Sequence, residues 1–117
     1  DMDGDGDLDM VTHPVNGQLR VFRNHSQTGK AIAFALEEHT GRNRYGIAAV
    51  VRITMPDGST QSRELQLGGG FMSFDAPVIH FGLGAQTGIT NARIRWPDGR
   101  ESETGPLDAG ATYRVIR

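Results

Sequence analysis

The residues best placed to do chemistry in this sequence stand at its start. Residues 1–9 read D-M-D-G-D-G-D-L-D, with aspartate at every odd position. Hard cations such as Ca²⁺ take roughly six to eight oxygen ligands, several of them carboxylate, around a tight loop. In such a loop the carboxylates of Asp1, Asp3 and Asp5 turn inward and Gly6 permits the sharp bend. Asp7 then supplies a backbone carbonyl while its side chain points to solvent, and Asp9 returns a further carboxylate. Like charges at this density repel unless a cation offsets them. Asp1, Asp3, Asp5, Asp7 and Asp9 are therefore the expected metal residues and Ca²⁺ the expected cofactor. A frayed acidic end without metal is the plain alternative.

Other candidate chemistry is weaker. Ser73, Asp75 and His80 bring a nucleophile, an acid and a base close together, but Ser73 lies between Met72 and Phe74 with no nucleophile elbow around it. No catalytic residue is expected, and the chain reads as a non-enzyme. The four histidines (His13, His25, His39, His80) lack the paired spacing of a zinc site. The absence of cysteine excludes disulfides, thiolate metal sites and cysteine nucleophiles. Gly68–Gly70 is followed by no Lys-Ser/Thr, so a loop or bulge is expected there rather than a phosphate cradle.

Among the 12 basic residues only Lys30 is not arginine, and Arg52, Arg93 and Arg95 fall on polar strand faces. Arginine suits bidentate contact with carboxylate or sulfate. An acidic glycan or protein surface is thus a conceivable partner, against the blander reading of a solvated arginine face. Nucleic acid is not expected, because binding it needs a denser basic patch and stacking aromatics. Phe and Tyr here are expected mostly at inward positions.

The elements that must position these residues are short strands. Ile32, Phe34 and Leu36 share one face of Ala31–Leu36. Ile47, Ala49, Val51, Ile53 and Met55 share a face with Arg52 and Thr54 opposite, and Ala92, Ile94 and Trp96 alternate with Arg93 and Arg95. Tyr113 and Val115 repeat the pattern. A period of two is that of half-buried strands. Pro56-Asp57-Gly58 and Pro97-Asp98-Gly99 each follow a strand and predict hairpins, with glycine taking the positive φ. The two hairpins resemble each other, R-I-T-M-P-D-G-S from Arg52 and R-I-R-W-P-D-G-R from Arg93, either as a relic of duplication or by convergence. Gly82 and Gly84 around Leu83 predict a tight turn, and Trp96 is expected in the core.

Length and composition agree. At 117 residues with 37% hydrophobic and 22% charged residues, the chain suits one ordinary domain, and no apolar run is long enough for a membrane helix. The net charge of -2 conceals an acidic head on a mildly basic body. The opening on Asp1 rather than an initiator Met points to a fragment or processed piece. The expected fold is all-β, a two-sheet β-sandwich, with residues 1–24 as a separate segment, 25–30 as linker and 31–117 as the main domain.

An EF-hand shares D-x-D-x-D-G but needs an acid at the twelfth position and a following helix; here Thr12 stands there, before His13-Pro14. The pattern D-x-D-x-D-G-x-x-D, followed by Leu8-Asp9-Met10-Val11 and later by Leu19-Arg20-Val21-Phe22-Arg23-Asn24, resembles instead the end of an FG-GAP/VCBS repeat, a blade unit of calcium-binding β-propellers. The main domain resembles the ASPIC/UnbV domain. The motifs are Asn43-Arg44-Tyr45-Gly46-Ile47-Ala48-Ala49, Arg63-Glu64-Leu65 with Gly68–Ser73, His80-Phe81-Gly82-Leu83-Gly84, and Arg95-Trp96-Pro97-Asp98-Gly99. Ala48 stands where that family has glycine, implying less need for positive φ, and the tryptophan often found just after Asn24-His25 is missing.

That family characteristically follows FG-GAP/VCBS repeats. The resemblance implies a secreted, periplasmic or cell-surface β-domain with an N-terminal stump of a propeller blade and an upstream β-propeller as its partner. Adhesion, recognition or capping of the propeller is the implied role. A module of secondary-metabolite biosynthesis, suggested by the family's bacterial namesake, and a purely structural spacer are the rival readings.

Overall fold

Strands form where apolar and polar residues alternate. The computed structural model describes residues 1–5, 7–26, 29–70 and 72–117. Gly6, Phe71 and the linker residues Gln27 and Thr28 lie outside the described residues. Eleven strands and no helix are found among those described: β1 (Met10–Thr12), β2 (Arg20–Phe22), β3 (Lys30–Glu37), β4 (Val50–Thr54), β5 (Thr60–Glu64), β6 (Val78–Gly84), β7 (Gly88–Ile89), β8 (Asn91–Arg95), β9 (Glu101–Thr104), β10 (Leu107–Asp108) and β11 (Thr112–Ile116). The all-β expectation holds.

A four-stranded antiparallel sheet runs β5-β4-β8-β9 and a three-stranded sheet runs β11-β3-β6. A short pair β7–β10 stands beside them, and β1 and β2 pair only with each other. Both Pro-Asp-Gly segments close hairpins, β4–β5 and β8–β9, with Gly58 at φ 83° and Gly99 at φ 87°. Each glycine N–H donates back across its turn at 2.9 Å, to the carbonyl of Met55 or of Trp96. The aspartate of each turn accepts a backbone N–H two residues on, from Ser59 or Arg100.

The core lies between the two larger sheets, as in a sandwich. Ile32, Phe34 and Leu36 of β3 and Ile79, Phe81 and Leu83 of β6 meet Val51 and Ile53 of β4 and Ala92 and Ile94 of β8, and Trp96 is fully buried among them, as expected. The Phe34 and Phe81 rings meet edge to face at 6.0 Å. Burying each large side chain of this kind contributes about 1.5–3 kcal/mol, so the period-two faces largely account for the fold. Tyr113 and Val115 of β11 pack against the cluster.

Four expectations need correction. The face written as Ile47–Met55 begins its strand only at Val50, because residues 47–48 form a turn. In that turn Ala48 does take a positive φ, 69°, although alanine replaced the usual glycine. Gly82 is an exposed position within β6, and Gly84, at φ 59°, ends the strand, so the predicted tight turn around Leu83 is a strand end. Not all aromatics face inward: Phe22, Tyr45 and Phe74 are exposed, because Phe22 lies on the isolated hairpin and Tyr45 and Phe74 on loops.

Candidate metal centre and arginine face

The alternation of aspartates at the start places three of them together. Asp1, Asp3 and Asp5 each offer a carboxylate oxygen, and these oxygens lie within 4.8 Å of one another, all on exposed residues. Local hydrogen bonds shape the loop: the Asp5 N–H donates to Asp3 Oδ1 at 3.2 Å and the Asp7 N–H to Asp5 Oδ1 at 3.0 Å. Asp7 and Asp9 are not part of this triad. Both Asp9 carboxylate oxygens accept backbone N–H groups at 2.8 Å, one from Met2 and one from Asn24. Those bonds, Asn24 first, hold its carboxyl below the usual carboxylate range. Asp9 thus ties the start of the loop to the segment that follows β2.

Arg23 stands over the triad. Its guanidinium pairs with Asp3 and lies 4.0 Å from Asp5, offsetting part of the mutual repulsion. An all-oxygen, anionic, solvent-facing donor set fits a hard divalent cation. Asp1, Asp3 and Asp5 are the residues that could hold it, with Arg23 as a competing cation. The sequence motif contained no sign of Arg23's part, since that depends on the register of β1 against β2.

The structure does bring Arg52, Arg93 and Arg95 to one exposed surface, the outer face of the four-stranded sheet. Arg52 and Arg93 are directly opposite each other in the β4–β8 register. Glutamates share the same rows, Glu103 opposite Arg93 and Glu101 opposite Arg95, while Glu64 stands opposite Val50. Arg93 and Glu103 form an ion pair at 3.7 Å. The face is therefore mixed in charge, which lowers its pull on an anionic partner.

Two of the main domain's sequence motifs, Asn43–Ala49 and Arg95–Gly99, meet at Trp96. Its indole Nε1 donates to Ser102 Oγ at 2.8 Å, and Arg117 lies over its ring at 5.1 Å. Gly46, at φ 63°, passes so close that a Cβ there would meet Trp96 Cζ3 at 3.0 Å and Leu36 Cβ at 3.2 Å. Asn43 brackets this loop, donating from Nδ2 to the Ile47 carbonyl at 2.8 Å and accepting the Ile47 N–H at 2.9 Å. Asp98 accepts a bidentate pair from Arg117. That pairing, followed by the Arg100 N–H, lowers the Asp98 pKa to about 2. Arg117 also reaches the buried Glu38 at 3.1 Å. The Asn43–Ala49 and Arg95–Gly99 motifs are thus structural, serving one packed corner.

Ser73, Asp75 and His80 do not form a catalytic chain: no hydrogen bond links them among the described residues. Ser73 is exposed on the loop after Gly70, and His80 is half-buried on β6, where loss of hydration lowers its pKa. Asp75 donates its backbone N–H to the Leu67 carbonyl at 2.8 Å and so closes the base of that loop. Gly68–Gly70 belong to the loop and to no strand, as expected.

A family model described as ASPIC and UnbV matches residues 39–117. None of the curated proteins matches the chain. The matched range begins after β3, although β3 supplies Ile32, Phe34 and Leu36 to the core; the folding unit is therefore longer than the matched range.

Proposed function

This chain belongs to the ASPIC and UnbV family, and from that premise we propose that it is a non-catalytic β-domain following a calcium-binding β-propeller outside the cytoplasm. In this reading residues 1–24 are the last part of an FG-GAP/VCBS blade, 25–30 the linker and 31–117 the family domain. Its role is adhesion or recognition, or capping of the propeller.

The supporting observation is the β1–β2 hairpin. Met10 and Phe22 lie opposite each other in the ladder, as do Val11 and Val21, and these two pairs point to opposite faces. All four are about half exposed, and Leu8, Leu19 and Val15 beside them are exposed too. A two-stranded hairpin is marginal alone, and one that is apolar on both faces suits a blade packed between sheets. Ca²⁺ held by Asp1, Asp3 and Asp5 would supply the charge that this loop needs to close firmly. That no hydrogen bond links Ser73, Asp75 and His80 among the described residues supports the non-catalytic part of the reading.

Calorimetric titration with Ca²⁺, on protein carrying the complete blade upstream of Asp1, tests the metal part. Saturable binding that weakens in Asp3→Asn and Asp5→Asn is expected. No binding at millimolar Ca²⁺ would sink it. A glycan array, with Arg93→Ala and Arg95→Ala for comparison, tests recognition.

A further inference from the structure

No strand among the described residues joins β5 to β6, and the space between them is bordered by Asp1, Asp7 and Leu8 of the N-terminal segment. β5 is the outer strand of one sheet and β6 the outer strand of the other, and each pairs on one side only. They approach at one end, where Gln61 Nε2 donates to the Gly82 carbonyl at 2.7 Å. Beyond that contact lies a cleft of about 1080 Å³.

Both strands turn unspent backbone groups toward it. In an antiparallel pair the N–H and C=O of one residue face the same side, and the side alternates along the strand. Met55 N–H bonds Ser59 O and Leu65 N–H bonds Ala49 O. Odd-numbered residues of β5 therefore face β4, and Ser62 and Glu64 face the cleft. On β6, the Val78 N–H is taken by the Ala76 carbonyl at 2.7 Å and the Gly82 carbonyl by Gln61. From Val78 to Gly82, before the ladder shifts register between Lys30 and Ala31, the even-numbered residues of β6 therefore face away from β3, leaving the N–H groups of His80 and Gly82 without a backbone partner among the described residues. An uncovered edge of this kind is a template for another strand.

We propose that this cleft receives an extended, basic peptide segment of a partner protein as an added strand between β5 and β6. Charge selects the occupant. Asp1, Asp7, Glu64 and Asp75 line the cleft against Lys30 and Arg63. The Arg63 guanidinium is already held 5.8 Å from the centre of the Phe81 ring, as its cover. Backbone pairing supplies the affinity and the surplus carboxylates prefer lysine or arginine on the incoming strand.

The test uses a capped peptide of alternating lysine and valine, with a glutamate–valine peptide of equal length as comparison. Amide hydrogen exchange followed by NMR should slow about tenfold or more at His80 and Gly82 when the basic peptide is added. Gly82→Pro removes an outward N–H while sparing the β3 ladder, and nothing lies within 4 Å of an added Cβ; it should weaken binding about tenfold. Glu64→Lys, a surface change that leaves the edge backbone intact, should also weaken it. Unchanged exchange at His80 and Gly82, equal binding of the acidic peptide, or undiminished binding by folded Gly82→Pro or Glu64→Lys overturns the proposal. So does slowing that follows protein concentration alone, which would mean pairing between copies of this chain.

Discussion

Ala48 holds a φ of 69° while its N–H bonds the Leu65 carbonyl at 2.8 Å, so the surrounding backbone imposes a conformation that its Cβ resists. The left-handed region costs an L-residue about 1–2 kcal/mol, and glycine's extra freedom in the unfolded chain takes back about 0.4–1 kcal/mol. Ala48→Gly should therefore stabilise the protein by about 0.5–1 kcal/mol, read as a higher urea midpoint with an unchanged slope. Asp98 carries the clearest pH dependence. Its folded pKa of about 2 lies below the ordinary 3.8 because Arg117 and the Arg100 N–H favour the carboxylate. The unfolded chain thus binds the proton more readily, so this contribution is present above about pH 4. It is lost as the pH falls through 2. Urea midpoints measured across that interval should fall less steeply in Asp98→Asn than in the parent. The Asp57 carboxyl is likewise lowered, chiefly by the Ser59 hydroxyl. Both aspartates and their partners two residues on were visible in the sequence, whereas the main partner of Asp98 was not, since Arg117 reaches it from the C-terminal residue, 19 positions on.

Two turns with the same Pro-Asp-Gly sequence and one loop with a different glycine show what local sequence can specify. Pro56-Asp57-Gly58 and Pro97-Asp98-Gly99 act within their own hairpins, so they were legible residue by residue. Gly46 was not, because its requirement comes from Trp96 and Leu36, far away in sequence. Replacing Gly46 with alanine combines a positive φ with a close approach and should cost about 2–5 kcal/mol. At Gly58, where φ is also positive but nothing lies within 4 Å of an added Cβ, alanine should cost only about 1–2 kcal/mol. Chemical denaturation of the two variants side by side measures the difference, and equal losses would remove Trp96 and Leu36 from the explanation. The paired hairpins also meet each other: Arg52 and Arg93, equivalent positions in the two similar sequences, are directly opposite across β4 and β8. This gives the sequence similarity a local two-fold arrangement. Like charges so placed are unfavourable, and Glu103 beside Arg93 offsets part of that cost.

The molecule divides its labour unevenly. All of the core cluster comes from residue 32 onward, and the hairpin β1–β2 pairs with nothing but itself. Deleting residues 1–24 should therefore leave one cooperative thermal transition, shifted by only a few degrees, with near-native far-UV dichroism. Loss of cooperativity would instead make the acidic head an integral layer of the domain. Strand character, the inward faces of β3, β4 and β8, both hairpin turns, the exposed arginines and the acidic loop were determined by the sequence alone, since each depends on neighbours a few residues apart. Tertiary structure decided the rest. It set the parallel pairing of β11 with β3, the glutamates facing the arginines, the use of both Asp9 carboxylate oxygens by backbone N–H groups, and the unpaired edges of β5 and β6. Each of these depends on which distant strands meet and in what register, and period-two alternation specifies a strand's faces without naming its neighbours.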